Sequence, residues 1–281
     1  MKSIFSYKRL NWSMLISYIY LTILAILAAF PLLWILSTSL KTSGESAGNP
    51  TKFFPKQITF ENYITVFKDL GFGKNLLNSF IVSITATFIT IIVSSLAAYA
   101  IVRFFPKGGK PITRILLMTY VFPPILLAVP FTIMLTQVGL LNTWTGLIIA
   151  YLSFSIPFAI WMLIGFFKSV PLEIEESSSV DGAGKLRTFL QIVLPIVAPG
   201  IVATAIFTFI NTWNEFLFAL LFINSSEKMP VSVALYSLTG SEVLDWGVMM
   251  AASVVVILPV IIFFMLIQKH ITSGLSEGSI K

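Results

Sequence analysis

Side chains able to do acid–base or metal chemistry are sparse in these 281 residues, and two places among them are the most informative. One is the segment 168–195, KSVPLEIEESSSVDGAGKLRTFLQIVLP, with seven charges at Lys168, Glu173, Glu175, Glu176, Asp181, Lys185 and Arg187. The other is Glu215, a lone acid in the otherwise uncharged stretch from Thr188 to Ile223. Cysteine is absent, which removes disulfides, thiolate metal sites and cysteine nucleophiles. The single histidine, His270, leaves no basis for a histidine metal site or a Ser-His-Asp triad; beside Lys269 it reads as solvated or headgroup-facing. Gly182-Ala183-Gly184-Lys185 has the look of a phosphate-binding loop. Leu186, however, stands where a magnesium-binding Ser or Thr is required, and Ser179 where the first glycine is required. No cofactor is therefore expected on this chain, and ATP, where it drives the protein, is bound with its magnesium by another one.

Elements that could position these groups are legible in the same residues. Pro171 suits a helix start, and the acids at 173, 175 and 176 suit a helix N-terminus, where the dipole favours negative charge. Asp181-Gly182 signals a turn, since glycine reaches positive φ without steric cost. Leu186, Phe189, Leu190, Val193 and Leu194 then form an amphipathic helical stripe, with Pro195 and Pro199 expected to separate it from the next apolar stretch. Two short helices and a tight turn describe either a docking element for a partner or a hairpin covering the chain's own body.

The rest of the chain is apolar. Hydrophobic residues make up 57%, charged residues only 11%, and the mean hydropathy is +0.92. A soluble core cannot absorb that composition, so soluble enzymes, nucleic-acid-binding domains and disordered chains are excluded, and an all-α membrane protein is the expected class. Uncharged stretches long enough to cross a bilayer predict six transmembrane helices at about 14–38, 76–102, 113–136, 144–167, 197–223 and 247–268. They form a single domain over 1–281, and the apolar N-terminal run is expected as an uncleaved first span. Gln137, Gly139, Asn142 and Thr143 mark the turn between the third and fourth spans. With both termini inside, twelve Lys and Arg fall on the cytoplasmic side and six outside. The net charge of +6 reflects this loop bias and implies no nucleic acid. Segment 168–195 then lies in the cytoplasm. The longest outside loop, 41–74, has a Gly/Ser/Pro-rich portion from Ser43 to Pro55, and Phe60, Tyr63, Ile64 and Phe67 are spaced for a short helix on the membrane surface.

Inside the spans, Thr204, Thr208, Asn211 and Glu215 share one helical face, with Asn214 alongside. An acid at membrane depth costs a few kcal/mol and by default faces a protein interior or a wet path. The stripe lines a translocation path, or Glu215 is a hydrogen-bonding anchor near the outer interface. Asn75, Ser79, Ser83, Thr87, Thr90 and Ser94 form a second stripe, which packs helices or lines a pore. Pro123, Pro124 and Pro130 break the third span, and Pro157 bends the fourth. Trp144, Trp161, Trp213 and Trp246 could stack on sugar rings or belong to interfacial belts.

Glu175-Glu176-Ser177-Ser178-Ser179-Val180-Asp181-Gly182-Ala183, followed by Ile192-Val193-Leu194-Pro195, resembles the EAA loop of permease subunits in binding-protein-dependent ABC importers. Glu176 and Gly182 match the glutamate and glycine of that loop, and Ser177 and Ser178 stand in place of its two alanines. Asp181 before the glycine, Trp213-Asn214-Glu215-Phe216, and the ending Gly274-Leu275-Ser276-Glu277-Gly278-Ser279-Ile280-Lys281 are similar to the carbohydrate-uptake branch of maltose-permease type. The resemblance implies a type I importer permease fold in a prokaryotic cell membrane. It also implies a coupling helix between the fourth and fifth spans, where Glu175, Glu176, Ser177, Ser178, Asp181, Gly182 and Ala183 meet a cytoplasmic ATPase. The implied partners are a second, unlike permease subunit, two ATPase subunits carrying ATP and magnesium, an extracytoplasmic sugar-binding protein and the lipid bilayer. The implied activity is oligosaccharide import by alternating access, without catalysis by this chain. Alternatives are an ABC permease for another solute, or a secondary transporter working alone, for which inverted repeats would be expected and none is visible.

Overall fold

The computed structural model describes residues 12–48, 51–105, 108–240 and 245–277, and the side-chain surroundings of all of these but 13, 110 and 266–277. Lys2, Lys8, Arg9, Lys107 and residues 278–281 of the similar C-terminal ending lie outside the described residues. Two compact units emerge, one holding the described residues up to Leu70 together with 245–255, the other Gly71–240 together with those from Val256 onward.

In the first unit, α1 (Trp12–Ser39) is apolar on all sides, and its most apolar window has no residue buried. Its end is nonetheless well tied. Trp34 and Phe30 pack on Phe53 at 5.8 and 6.0 Å between ring centres. Lys41 is fully buried, its ammonium bonded to the Lys52 carbonyl and lying 5.7 Å from the Trp34 ring centre. The expected Gly/Ser/Pro-rich loop contains a short helix, α2 (Ser43–Gly48). The expected surface helix is α3 (Glu61–Ile64), prolonged by a π turn over Thr65–Asp69. Phe60, Ile64 and Phe67 are exposed, while the Tyr63 hydroxyl reaches Ser39 at 2.7 Å.

The second unit is built on α4 (Phe72–Phe104), 33 residues and so about 50 Å long, well beyond the roughly 30 Å hydrocarbon core. Next come α5 (Gly109–Val121) and α6 (Pro124–Gln137). The third predicted span, 113–136, is not one helix: these two meet at 87°. Phe122 and Pro123 both have extended ψ, as residues preceding a proline prefer, so the consecutive prolines take the chain out of the helix for two residues. The turn to α7 (Trp144–Ser169) falls on the expected residues, with Thr143 Oγ1 accepting from the Gly146 N–H at 3.1 Å to cap the helix.

The charged segment forms α8 (Leu172–Val180) and α9 (Lys185–Thr188). Contrary to expectation, Pro195 and Pro199 do not separate α9 from the next span. The helix runs on through a π turn, Phe189–Val193, into α10 (Leu194–Asn214). The widened turn lets the Leu194 N–H bond the Phe189 carbonyl immediately before Pro195, whose ring a regular turn would crowd against the carbonyl four residues back. The fifth predicted span, 197–223, is also interrupted. The chain is extended at Glu215, and α11 (Leu217–Phe222) follows. After α12 (Val231–Ser237), α13 (Trp246–Glu277) closes the described chain. Five of these helices are long and apolar enough to span a membrane, and the bent α5–α6 pair makes six.

α4 packs along α7 and α10. The second-span stripe of Asn75, Ser79, Ser83, Thr87, Thr90 and Ser94 is buried throughout, which supports the packing reading. Asn75 and Asn78 donate to the Met229 carbonyl at 2.9 and 3.1 Å, and Ser79 Oγ accepts from the Val231 N–H at 2.7 Å. Gly200 permits a close helix approach, because a Cβ there would collide with the Phe166 ring.

Candidate functional site

The α8–α9 segment has two chemically different sides. Glu175 points inward and is buried. Its carboxylate accepts from the Tyr99 hydroxyl at 2.8 Å and from Arg103 Nε at 2.5 Å, while Arg103 Nη2 donates to the Val170 carbonyl at 2.8 Å. Ser178 is buried too, with its hydroxyl 2.8 Å from that of Thr188. Glu176, Ser177, Asp181 and Gly182 are exposed, and Ala183 is half-buried. The turn is a Schellman cap. The Ala183 N–H bonds the Ser178 carbonyl and the Gly182 N–H that of Ser179, at 3.0 and 3.1 Å, with Gly182 at φ +81°. That left-handed φ is what requires glycine there. Only part of the expected apolar stripe faces the core: Phe189 and Val193 are buried, whereas Leu186 and Leu190 are exposed, as is Val180 next to the turn.

The second site is a cavity of about 350 Å³ between α5, α6, α7, α10 and α11. Three residues of the predicted stripe line it: Thr208, Asn211 and Glu215. Thr204 is buried outside its wall, and Asn214 is exposed and not part of it. Most of the remaining wall is aromatic, from Tyr120, Tyr151, Phe154, Phe158, Phe207 and Phe218, with Pro124, Ser155 and Thr212 completing it. Phe158 stacks on Phe207 at 4.3 Å and Phe154 on Phe218 at 5.2 Å. None of the candidate tryptophans, Trp144, Trp161, Trp213 and Trp246, lines the cavity. Trp144 and Trp213 donate to the carbonyls of Lys228 and Val256, at 3.0 and 3.2 Å. The aromatic wall had a signal in the sequence, since Tyr151, Phe154 and Phe158 repeat at i, i+3 and i+7.

Glu215 both lines the cavity and anchors it. Its carboxylate accepts from the Phe218 and Ala219 N–H groups at 2.9 and 3.1 Å, closing the start of α11, and its carbonyl accepts from Ser232 at 2.8 Å. The threonine hydroxyls are spent on their own helix, each bonding the carbonyl four residues back. Asn211 donates to the Phe207 carbonyl at 2.8 Å, which leaves its side-chain oxygen for the cavity. Aromatic faces with a few convergent polar groups describe a site for a polar ligand with apolar faces. The side chains of His270 and of 274–277 in the C-terminal ending are outside the described set.

Residues 90–277 match the family described as binding-protein-dependent transport system inner membrane component. The chain belongs to that family. It is thus a multi-pass inner-membrane transport component rather than a catalytic enzyme. Within the family it is 37% identical to the sulfoquinovosyl glycerol transport system permease protein of Agrobacterium fabrum, over 92% of this chain and 91% of that one. It is 34% identical to the diacetylchitobiose uptake system permease protein of Streptomyces coelicolor, over 95% and 88%. Its fold is similar to a chain of a bacterial ABC transporter involved in importing the acidic polysaccharide alginate, at a TM-score of 0.77 and 23% identity, covering 95% of this chain and 99% of that one.

Proposed function

We propose that this permease component carries carbohydrate across the prokaryotic cell membrane in an ATP-driven importer, with both termini cytoplasmic. It acts with a second, unlike permease, two ATPase subunits that hold ATP and magnesium, and an extracytoplasmic sugar-binding protein. Glu176, Ser177, Asp181, Gly182 and Ala183 form the docking face for an ATPase, and Thr208, Asn211 and Glu215 form part of the translocation path. The observation that carries this reading is the two-sidedness of α8: a buried, bonded face ties it to the helix bundle and leaves an exposed acidic face beside the Gly182 turn. Carbohydrate is supported by the names of the relatives and by the cavity chemistry. Ring faces suit the C–H faces of a sugar, while Asn211 and Glu215 suit its hydroxyls.

The test uses the natural absence of cysteine. Val180→Cys, at a position 88% exposed beside the turn, should cross-link to an ATPase subunit that co-purifies in gentle detergent together with a second permease. A chain that purifies alone and transports in proteoliposomes without ATP would overturn the proposal.

A further inference from the structure

Three helices meet at one ion pair. Arg103 sits in the last turn of α4, Glu175 on α8, and Val170 at the end of α7. The Arg103 and Glu175 side chains are only 12% and 11% exposed, so water does little to weaken the bond between them. One guanidinium holds both the α8 carboxylate and the carbonyl that ends α7. Tyr99, one turn back along α4, gives the carboxylate a second donor and packs its ring on Phe189 at 4.8 Å and Phe167 at 5.8 Å. On either side of α8 the chain is non-helical, at Val170–Pro171 and at Asp181–Gly184, so backbone continuity alone does not hold α8 in place. The pair and the Ser178–Thr188 bond do.

We infer that Arg103 and Glu175, braced by Tyr99, are the joint that passes a displacement of α8 into α4. This rests on the coupling function proposed above. The two are positioning residues: they do not touch the ATPase but make α8 and α4 move as one piece. α4 is the helix that packs along α7 and α10, and both of those line the cavity. A push on α8 thereby reaches the cavity wall through packed helices rather than through flexible turns. Without the joint, the Ser178–Thr188 bond would still tie α8 to α9, but α8 would shift against α4 while docked.

The experiment is a distance measurement between spin labels at Ser177→Cys on α8 and Leu96→Cys on α4, both exposed positions. It is made in nanodiscs holding the complete transporter, with and without ATP plus vanadate. With the pair intact, the α8–α4 distance should stay unchanged on trapping. Arg103→Met with Glu175→Met replaces a buried pair by apolar groups of similar volume, a change that proteins often tolerate. In that double variant trapping should shift or broaden the distance by about 2 Å or more. Glu175→Gln, which keeps the volume and weakens the pair, should show the same effect in smaller measure. An unchanged distance in both variants would overturn the joint, as would a shift already present in the intact protein. Cross-linking at Val180→Cys is run alongside. If it fails with the pair intact, the docking reading falls and the joint with it. If it fails only in the variants, the pair shapes the docking face instead of transmitting motion, and the inference is wrong.

Discussion

Glu175 and Glu176 are neighbours in sequence and opposites in environment. Successive helical residues point about 100° apart, so one carboxylate enters the bundle while the other meets solvent. The EAA-like motif names both residues, but their division of labour depends on Arg103, 72 residues earlier in the chain, and no local pattern announces that pairing. Glu215 makes the same point differently. Its helical spacing marks it as facing inward, and it does line the cavity, yet its carboxylate is also engaged by the start of α11. The two roles separate by mutation. Asn211→Ala should lower sugar uptake several-fold while the amount of protein in the membrane stays unchanged, because Asn211 bonds only its own helix. Glu215→Gln should lower uptake and also weaken the α11 cap by ~0.3–1 kcal/mol, visible as a lower melting temperature in detergent. Normal uptake of a panel of labelled disaccharides by both variants would remove these residues from the path.

Helices were legible from uncharged length, and their interruptions from proline only in part. Pro123 and Pro124 do break the third span, because two extended residues in succession leave no helical continuation. Pro195 and Pro199 do not break the fifth, because a π turn absorbs the first of them and the second stays inside the helix. The same residue type thus ends one helix and is carried by another, according to what the neighbouring turn can rearrange. Close approach of elements was not legible at all. Gly200 is one more small residue in an apolar run, yet it is where Phe166 of α7 meets the α10 backbone. Gly200→Val should force the two helices apart and destabilise the protein by about 1–3 kcal/mol, the usual cost of overpacking. A melting temperature equal to that of the wild type would contradict this packing.

Charge bias between loops makes a prediction for the molecule as a whole. A membrane-impermeant maleimide applied to intact cells should label Ser226→Cys and leave Val180→Cys unlabelled, with labelling of the latter recovered once the cells are opened. The reverse pattern would invert the proposed orientation and take the exposed face of α8 out of reach of a cytoplasmic ATPase. Composition and hydropathy by themselves determined that this is a helical membrane protein, since burying 57% hydrophobic residues with 11% charge has no soluble solution. The spacing of Glu176, Gly182 and Leu194-Pro195 determined which loop resembles a coupling element, because the turn, the helix starts and the left-handed glycine are local requirements. Tertiary structure alone decided which acid of that loop faces inward, that rings from α5, α7, α10 and α11 meet around one cavity, and that Arg103 joins three helices. The reason is that each depends on contacts between residues far apart in the chain, whose meeting is set by how whole helices pack.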